Sequence, residues 1–485
     1  MSDASPIAPL DAREIKSWDA EADVVVVGYG CAGASAAIAA REQDASVLVV
    51  ERTGAGGGAS SMAGGEIYLG GGTRIQKACG FDDTPEAMHA YLSAATGPGP
   101  NEEKIAVYCD GSVEHFDWLE ACGVPFKATF YDVPCWEPPT DDGLVYTGGE
   151  NAWPFNEIAK PAPRGHVPQI QNKRLMEKSG GWMLMHHLMA TAENAGAKLM
   201  TDSKVSQLIV DGGVVVGILA RSFGEDRAVR ARRGVVLASG GFVANRDMTS
   251  LHAPLITDQL VLGTDGDDGT SIRLGQGLGG AVAHLEAAQT ALPSVPLLVY
   301  PSMLVNRFGQ RFINEDTYCG RIGQAAIFHQ QADCSIVLDE QIFESVPEAD
   351  RWGARPSWVC ETVAELEAEM GLPEGSLQAT VTLYNSHAGK GEDPVFHKRA
   401  EYLRPLRPPF GAIKLTGLPY SVFTLGGLVT TIDGEVVGPG GEAVPGLFAA
   451  GRATSGIPSW GYASGTSLGD GTFFGRRAGC AAARR

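Results

Sequence analysis

An α/β fold is predicted by three stretches of this 485-residue chain that share one arrangement, a buried strand running straight into a glycine turn. The first, ADVVVVGYGCAGASAAIAAREQDASVLVVER (Ala22–Arg52), joins an apolar run to a glycine-rich turn, an alanine-rich helix and a second strand. The second is RGVVLASGGF (Arg233–Phe242). The third, VPGLFAAGRATSGIPSWGYASGTSLGDG (Val444–Gly471), lies near the opposite end of the chain.

In the first stretch, Val24–Val27 is continuously apolar, as expected of a strand buried on both faces. Gly28-Tyr29-Gly30-Cys31-Ala32-Gly33 follows, then a helix over Ala34–Arg41 and a strand over Ser46–Val50 that ends at Glu51. Gly28 makes the turn, Gly30 lets a pyrophosphate approach the backbone, and Gly33 lets helix and strand pack closely. The helix N-terminus favours phosphate. Glu51 lies eighteen residues after Gly33, where an acid can accept from a ribose hydroxyl. These parts together predict a Rossmann-type dinucleotide site. FAD is favoured over NAD because Gly54–Gly72 is a long small-residue loop suited to an extended cofactor, and because two further strand–glycine units follow. No second GxGxxG–acid unit exists, so no separate NAD(P) domain is expected. The expected FAD contacts start with Gly28, Gly30, Cys31, Ala32, Gly33, Glu51 and Arg52. The loop after the acid adds Ser60, Ser61, Ala63, Gly64 and Gly65, and the later segments add Val205, Ala238, Gly240, Gly241, Asp268, Gly451, Ser467 and Leu468.

The length is too great for one compact core and predicts two domains. Apolar residues make up 44% of the chain, an ordinary value for a globular protein. Lys and Arg total 38 against 57 Asp and Glu, a formal charge of -19, which excludes nucleic acid and anionic membrane as natural partners. The nine cysteines include no CxxC, so no zinc, c-type haem or iron–sulfur site is expected, and a reducing cytoplasm is. The first residues have neither a basic start nor an apolar core typical of a signal peptide, and no run reaches membrane-spanning length. His186-His187 lacks the spacing of a metal pair, and no metal is expected.

Together the glycine segments resemble the flavoprotein family of fumarate reductase and succinate dehydrogenase, which also holds the 3-ketosteroid dehydrogenases. The resemblance runs from about Ala22 to the end. It implies an FAD-binding domain formed from both chain ends, residues 1–292 and 411–485, with an inserted α+β catalytic domain at 293–410. Proline-rich crossings at Leu292–Pro301 and Arg404–Phe410 fit that division. Between them, Met303–Glu315 reads as a hairpin.

Departures from the family pattern locate the chemistry. Fumarate reductases carry a proton-donating arginine shortly after RFxNE; here the stretch is RFINEDTYCGR, with Tyr318 and Cys319 in that neighbourhood. Their His-Thr-Met-Gly-Gly substrate motif reads Phe423-Thr424-Leu425-Gly426-Gly427. A second carboxylate-binding arginine is replaced by Thr466-Ser467-Leu468. A dicarboxylate buried without counter-charge would cost several kcal/mol, so that substrate class is excluded. The resemblance implies instead the catalytic set of the 3-ketosteroid Δ4-(5α)-dehydrogenases: Tyr318, with Tyr462 and Ser464 in WGYAS. The alternatives are the Δ1-dehydrogenases, whose last-helix pattern lacks that serine, and a related flavin-dependent reductase of another apolar enone. Relatives that attach flavin covalently use a histidine after the acid; Gly54–Gly65 has none, which predicts noncovalent FAD.

Desaturation beside a ketone needs a base for the α proton, a hydride acceptor and donors to the ketone oxygen. Tyr318 and Ser464 are expected on the proton-accepting side, and Tyr462 either at the carbonyl or in support of Tyr318. The substrate is then a small apolar steroid, and an external acceptor must reoxidise the flavin. Cys135–Phe155 contains Trp136, Tyr146, Trp153 and Phe155 and could wall an apolar pocket. Gly465–Gly469 matches the GxSxG of serine hydrolases, but no histidine follows Ser467, which excludes that reaction. A flavoprotein that only carries electrons is the other class considered, and the three hydroxyl residues speak against it.

Overall fold

The computed structural model describes residues 4–169 and 179–485. Its largest sheet has nine strands. Ala20–Val27 lies between Val47–Val50 and Glu225–Leu237 and is parallel to both. Lys198–Met200 extends the sheet beyond Val47–Val50. On the other side, Ala443–Ala449 pairs with Val235–Leu237, so both chain ends meet on one central strand. The first half of Glu225–Leu237 turns instead to an antiparallel meander with Val214–Ser222 and Ser203–Asp211.

The unbroken valine run follows from cover on both faces. Val24, Val26, Val47, Val49 and Phe448 face the core shared with the helices Cys31–Glu42 and Thr466–Arg484. Val25, Val27, Leu48, Val50, Leu237 and Leu447 face the core under the meander. The two helices pack backbone to backbone. A Cβ on Gly475 would fall 2.5 Å from the Ala32 carbonyl oxygen, and one on Gly479 2.1 Å from that of Ala36. Their contact therefore depends on side chains that are missing.

A second core surrounds the four-stranded antiparallel sheet Met303–Asn306, Cys334–Asp339, Phe410–Lys414 and Trp358–Cys360. Helices Val363–Glu369 and Ser376–Ala388 cover it through Leu366, Leu377 and Val381. The sheet runs on past residue 410, to Lys414. Met303–Glu315 does turn back on itself, with Asn306 N–H donating to the Gln310 carbonyl at 2.9 Å. Its end is fixed by a buried ion cluster: Arg311 reaches Glu315 at 2.7 Å and Asp393 at 2.8 Å, and Lys398 reaches Glu315 at 3.0 Å. Glu315 also accepts from Leu304 N–H at 2.9 Å.

Sequence patterning missed a third region. Ile67–Tyr68, Gly165–His166, Leu144–Val145 and Phe130–Tyr131 form a small sheet, packed with helices Pro85–Ala95 and Glu102–Ala121 against the nucleotide-binding core. Two-residue strands are too short to show a period of two, so no alternation marks them. No helix among the described residues is long and apolar enough to cross a membrane.

Candidate active site

A single cavity of about 760 Å³ runs from the glycine turn to the inserted region. Gly28, Gly30, Cys31, Ala32, Glu51 and Arg52 line one end. Gly30 is the N-cap of Cys31–Glu42 and supplies no side chain there, while Cys31 N–H donates to Ser60 Oγ at 3.1 Å. Glu51 is nearly buried. One carboxylate oxygen accepts from Tyr29 N–H at 2.9 Å, the other from Thr53 N–H and Oγ1, both at 2.9 Å. Asp268 accepts from Arg52 at 3.1 Å and Lys204 at 2.9 Å.

Ser60, Ala63, Gly64, Val205, Ala238, Gly240, Gly241, Asp268, Gly451, Ser467 and Leu468 also line the cavity. Gly33, Ser61 and Gly65 are placed behind it, each for a packing reason. A Cβ on Gly33 would fall 2.0 Å from the Gly28 carbonyl oxygen, and one on Gly65 2.4 Å from Gly180. Ser61 donates to the Gly58 carbonyl at 2.9 Å. Gly28 has φ +98, and a Cβ there would meet the Ala238 carbonyl oxygen at 2.6 Å, so only glycine lets the two strand ends come together at the cavity.

At the other end the cavity wall is aromatic. Trp136, Tyr318, Phe423, Tyr462 and Ser464 all line it. Four separate segments deliver them. Gln289 and Phe423 are opposite each other on the antiparallel strands Ala288–Ala291 and Ser421–Thr424. Tyr318 caps the helix Cys319–Gln324, directly after the segment pinned by Glu315 and by the Asp316–Arg399 pair at 2.9 Å. Gln324 of that helix donates to the carbonyls of Ala288 and Trp460, both at 2.8 Å, tying the Tyr318 turn to the Gln289 strand and the Tyr462 loop.

The hydroxyls have defined orientations. Gln289 Nε2 donates to Tyr318 Oη at 2.8 Å, and the Ser464 hydroxyl favours the ionised form of the same phenol. Burial nevertheless pushes the Tyr318 phenol well above its ordinary value, because desolvation and the neighbouring Tyr462 disfavour the phenolate more than Ser464 favours it. Ser467 N–H points at Tyr462 Oη at 3.4 Å, which leaves the Tyr462 proton free to donate into the cavity. The Tyr318 and Tyr462 rings lie 6.4 Å apart, and Trp136 stands edge-on to Tyr318 at 6.0 Å. Trp136 is held by a bond from Nε1 to the Ser294 carbonyl at 2.9 Å. Gln289 and Arg452 belong to this site and escape sequence patterning, since neither falls in a motif or at a spacing that marks it. His186, by contrast, stacks on Trp182 at 5.2 Å and does not line the cavity.

A strand–glycine–helix turn, an acid at the next strand end and a long cavity continuing to a hydroxyl-lined pocket define a dinucleotide-dependent flavoprotein oxidoreductase. The FAD binding domain family matches residues 23–468, and the chain belongs to that family, with FAD as its cofactor. Three relatives are informative. The chain is 53% identical to the 3-ketosteroid-Δ4-(5α)-dehydrogenase of Rhodococcus jostii RHA1, a crystal structure in complex with 4-androstene-3,17-dione; the match covers 99% of this chain and 100% of that one, with a TM-score of 0.96. It is 29% identical to 3-oxo-5-alpha-steroid 4-dehydrogenase of Comamonas testosteroni, over 90% of this chain and 93% of the relative. It is 28% identical to 3-oxosteroid 1-dehydrogenase of Mycobacterium tuberculosis, over 94% and 97%.

Proposed function

We propose that the protein is an FAD-dependent 3-ketosteroid Δ4-dehydrogenase, forming the carbon 4–carbon 5 double bond of a saturated 3-ketosteroid. The observation that carries this reading is Tyr318 Oη held by Gln289, with Ser464 beside it, in an apolar, aromatic-walled pocket that Tyr462 shares. Similarity to the Rhodococcus and Comamonas enzymes supports it.

Bound FAD supplies a hydride acceptor. The chain's own residues do the rest. Tyr318 Oη takes the proton from the carbon next to the ketone, and the Gln289 hydrogen bond and the Ser464 hydroxyl stabilise its ionised form. Tyr462 donates to the ketone oxygen, where negative charge grows as that proton leaves. Trp136, Phe423 and Leu297 exclude water around an apolar ligand. Cofactor contacts divide as expected from the turn: Glu51 for a ribose hydroxyl, the Gly28–Gly33 turn for pyrophosphate, and Ser467 and Leu468 at the start of the last helix for the flavin pyrimidine. FAD is held noncovalently, since Gly54–Gly65 has no histidine. Residues 293–410, with their sheet continuing to Lys414, act as the inserted catalytic domain. The protein works in the cytoplasm, in keeping with its free cysteines.

Anaerobic titration tests the assignment. A saturated 3-ketosteroid should bleach the flavin and yield a carbon 4–carbon 5 double bond, while succinate should leave the spectrum unchanged. A carbon 1–carbon 2 product would make it a Δ1-dehydrogenase, and flavin reduction by succinate would overturn the substrate class. Acid precipitation should release the flavin; flavin in the pellet would show a covalent link.

A further inference from the structure

Arg452 follows Gly451 on the cavity wall, and its surroundings are unusual for a cation. Its Nη1 donates to Ser467 Oγ at 2.8 Å, and its guanidinium lies 4.1 Å from the centre of the Phe423 ring. Nη2 is buried and has no hydrogen-bond partner among the described residues. The nearby carboxylates act on Arg452 only through space and are committed elsewhere. Asp267 accepts from Gly241 N–H at 3.1 Å and Thr264 N–H at 2.9 Å; Asp470 accepts from Ile457 N–H at 3.1 Å and faces Lys104. Tyr462 and Cys31 are the other titratable groups facing it. An arginine stays protonated in proteins, so a positive charge remains beside the cavity without a paired anion.

We propose that Arg452 sets the reduction potential of the bound FAD, neutralising the charge that hydride transfer deposits at the pyrimidine end. The proposal rests on FAD binding and on Ser467 lying at that end. A hydride carries two electrons and one proton into a neutral flavin, and so leaves one net negative charge there. The guanidinium offsets it in a water-poor cavity, where a fixed charge acts more strongly than in solvent. It also orients a donor. Because Ser467 Oγ accepts from Arg452, the Ser467 proton is directed away from it, and Ser467 lines the cavity. The N-terminus of Thr466–Arg484 adds its dipole at the same place. Phe423 covers one side of the guanidinium and Ser467 takes one amino group, so Arg452 is not presented as a free fork for a substrate carboxylate.

Sulfite provides the test on the holoenzyme. It adds through sulfur to flavin N5 and, like hydride, leaves a negative charge on the flavin, with no proton or oxidant required. In Arg452→Met, sulfite affinity should fall by roughly tenfold or more. In Arg452→Lys, which keeps the charge, it should stay within a few-fold of the parent. Equal sulfite affinity in parent and Arg452→Met, both carrying FAD, would overturn the proposal. Should Arg452→Met lose FAD, the parent protein still decides. Two-electron reduction of its FAD, read from the pH dependence of the potential, should take up one proton across the mildly acidic to neutral range, because the second would protonate the stabilised anion. Uptake of two protons throughout would overturn it. A succinate-induced spectral change that Arg452→Met abolishes would make Arg452 a substrate ligand, and that outcome would sink the steroid assignment as well.

Discussion

The two ends of the cavity solve opposite problems. Around Glu51 the side chains are charged and anchored at once: Glu51 by three backbone and side-chain donors, Asp268 by Arg52 and Lys204. Around Tyr318 the polar groups are neutral hydroxyls and an amide, set among Trp136, Phe423 and Tyr462. Arg452 stands at that end with no carboxylate paired to it among the described residues, while Glu66 also lines the cavity and acts on Tyr318 through space. The contrast separates holding from reacting. Charge-assisted bonds give a cofactor affinity and register whatever its redox state. Neutral donors in an apolar wall matter when charge appears on the ketone, and a lone cation matters when charge appears on the flavin.

The largest effect should come from breaking the reacting end alone. Tyr318→Phe keeps the ring against Trp136 and removes the hydroxyl, so FAD should remain bound while steroid-driven flavin reduction, followed by rapid mixing, slows by about 10²–10⁴-fold. Its pH dependence sharpens the point. Burial holds the Tyr318 phenol well above the usual tyrosine range, so its ionised form is scarce at neutrality and grows about tenfold per pH unit. Flavin reduction in the parent should therefore rise with pH through the neutral range, and Tyr318→Phe should lose that slope. A parent profile that levels off near neutrality would point to another base.

Next in size is the holding end. Glu51→Gln keeps the shape but loses the charge that Tyr29 and Thr53 donate to, and FAD affinity should weaken by roughly ten- to a hundredfold. Reconstituted at saturating FAD, this variant should reduce at close to the parent rate. A rate loss as large as that of Tyr318→Phe would erase the distinction between the ends. The smallest effect belongs to the pocket wall. Trp136→Phe loses the bond to the Ser294 carbonyl, worth about 1 kcal/mol, and should raise KM for steroid several-fold with little change in kcat. A large fall in kcat instead would place Trp136 among the groups that orient Tyr318.

The sequence by itself determined the nucleotide half of this protein. A strand buried on both faces must be apolar throughout, a turn that admits phosphate must be bare, and an acid must stand at the next strand end; each requirement fixes residue types at local spacings. Val24–Val27, the Gly28–Gly33 turn and Glu51 are legible for that reason. Tyr318, Tyr462 and Ser464 were marked by resemblance to a family, since nothing in their spacing brings them together. Only the tertiary structure decided their geometry. It placed Tyr318 under Gln289, which lies on a strand paired with Phe423 far along the chain, and it set Trp136 over the pocket from a loop between two-residue strands. It also showed which glycines touch the cavity and which, like Gly33 and Gly65, only let backbones meet. Arg452 is the sharpest instance. Its meaning comes from what is missing around it, a paired carboxylate, and an absence in space leaves no period or motif in a sequence.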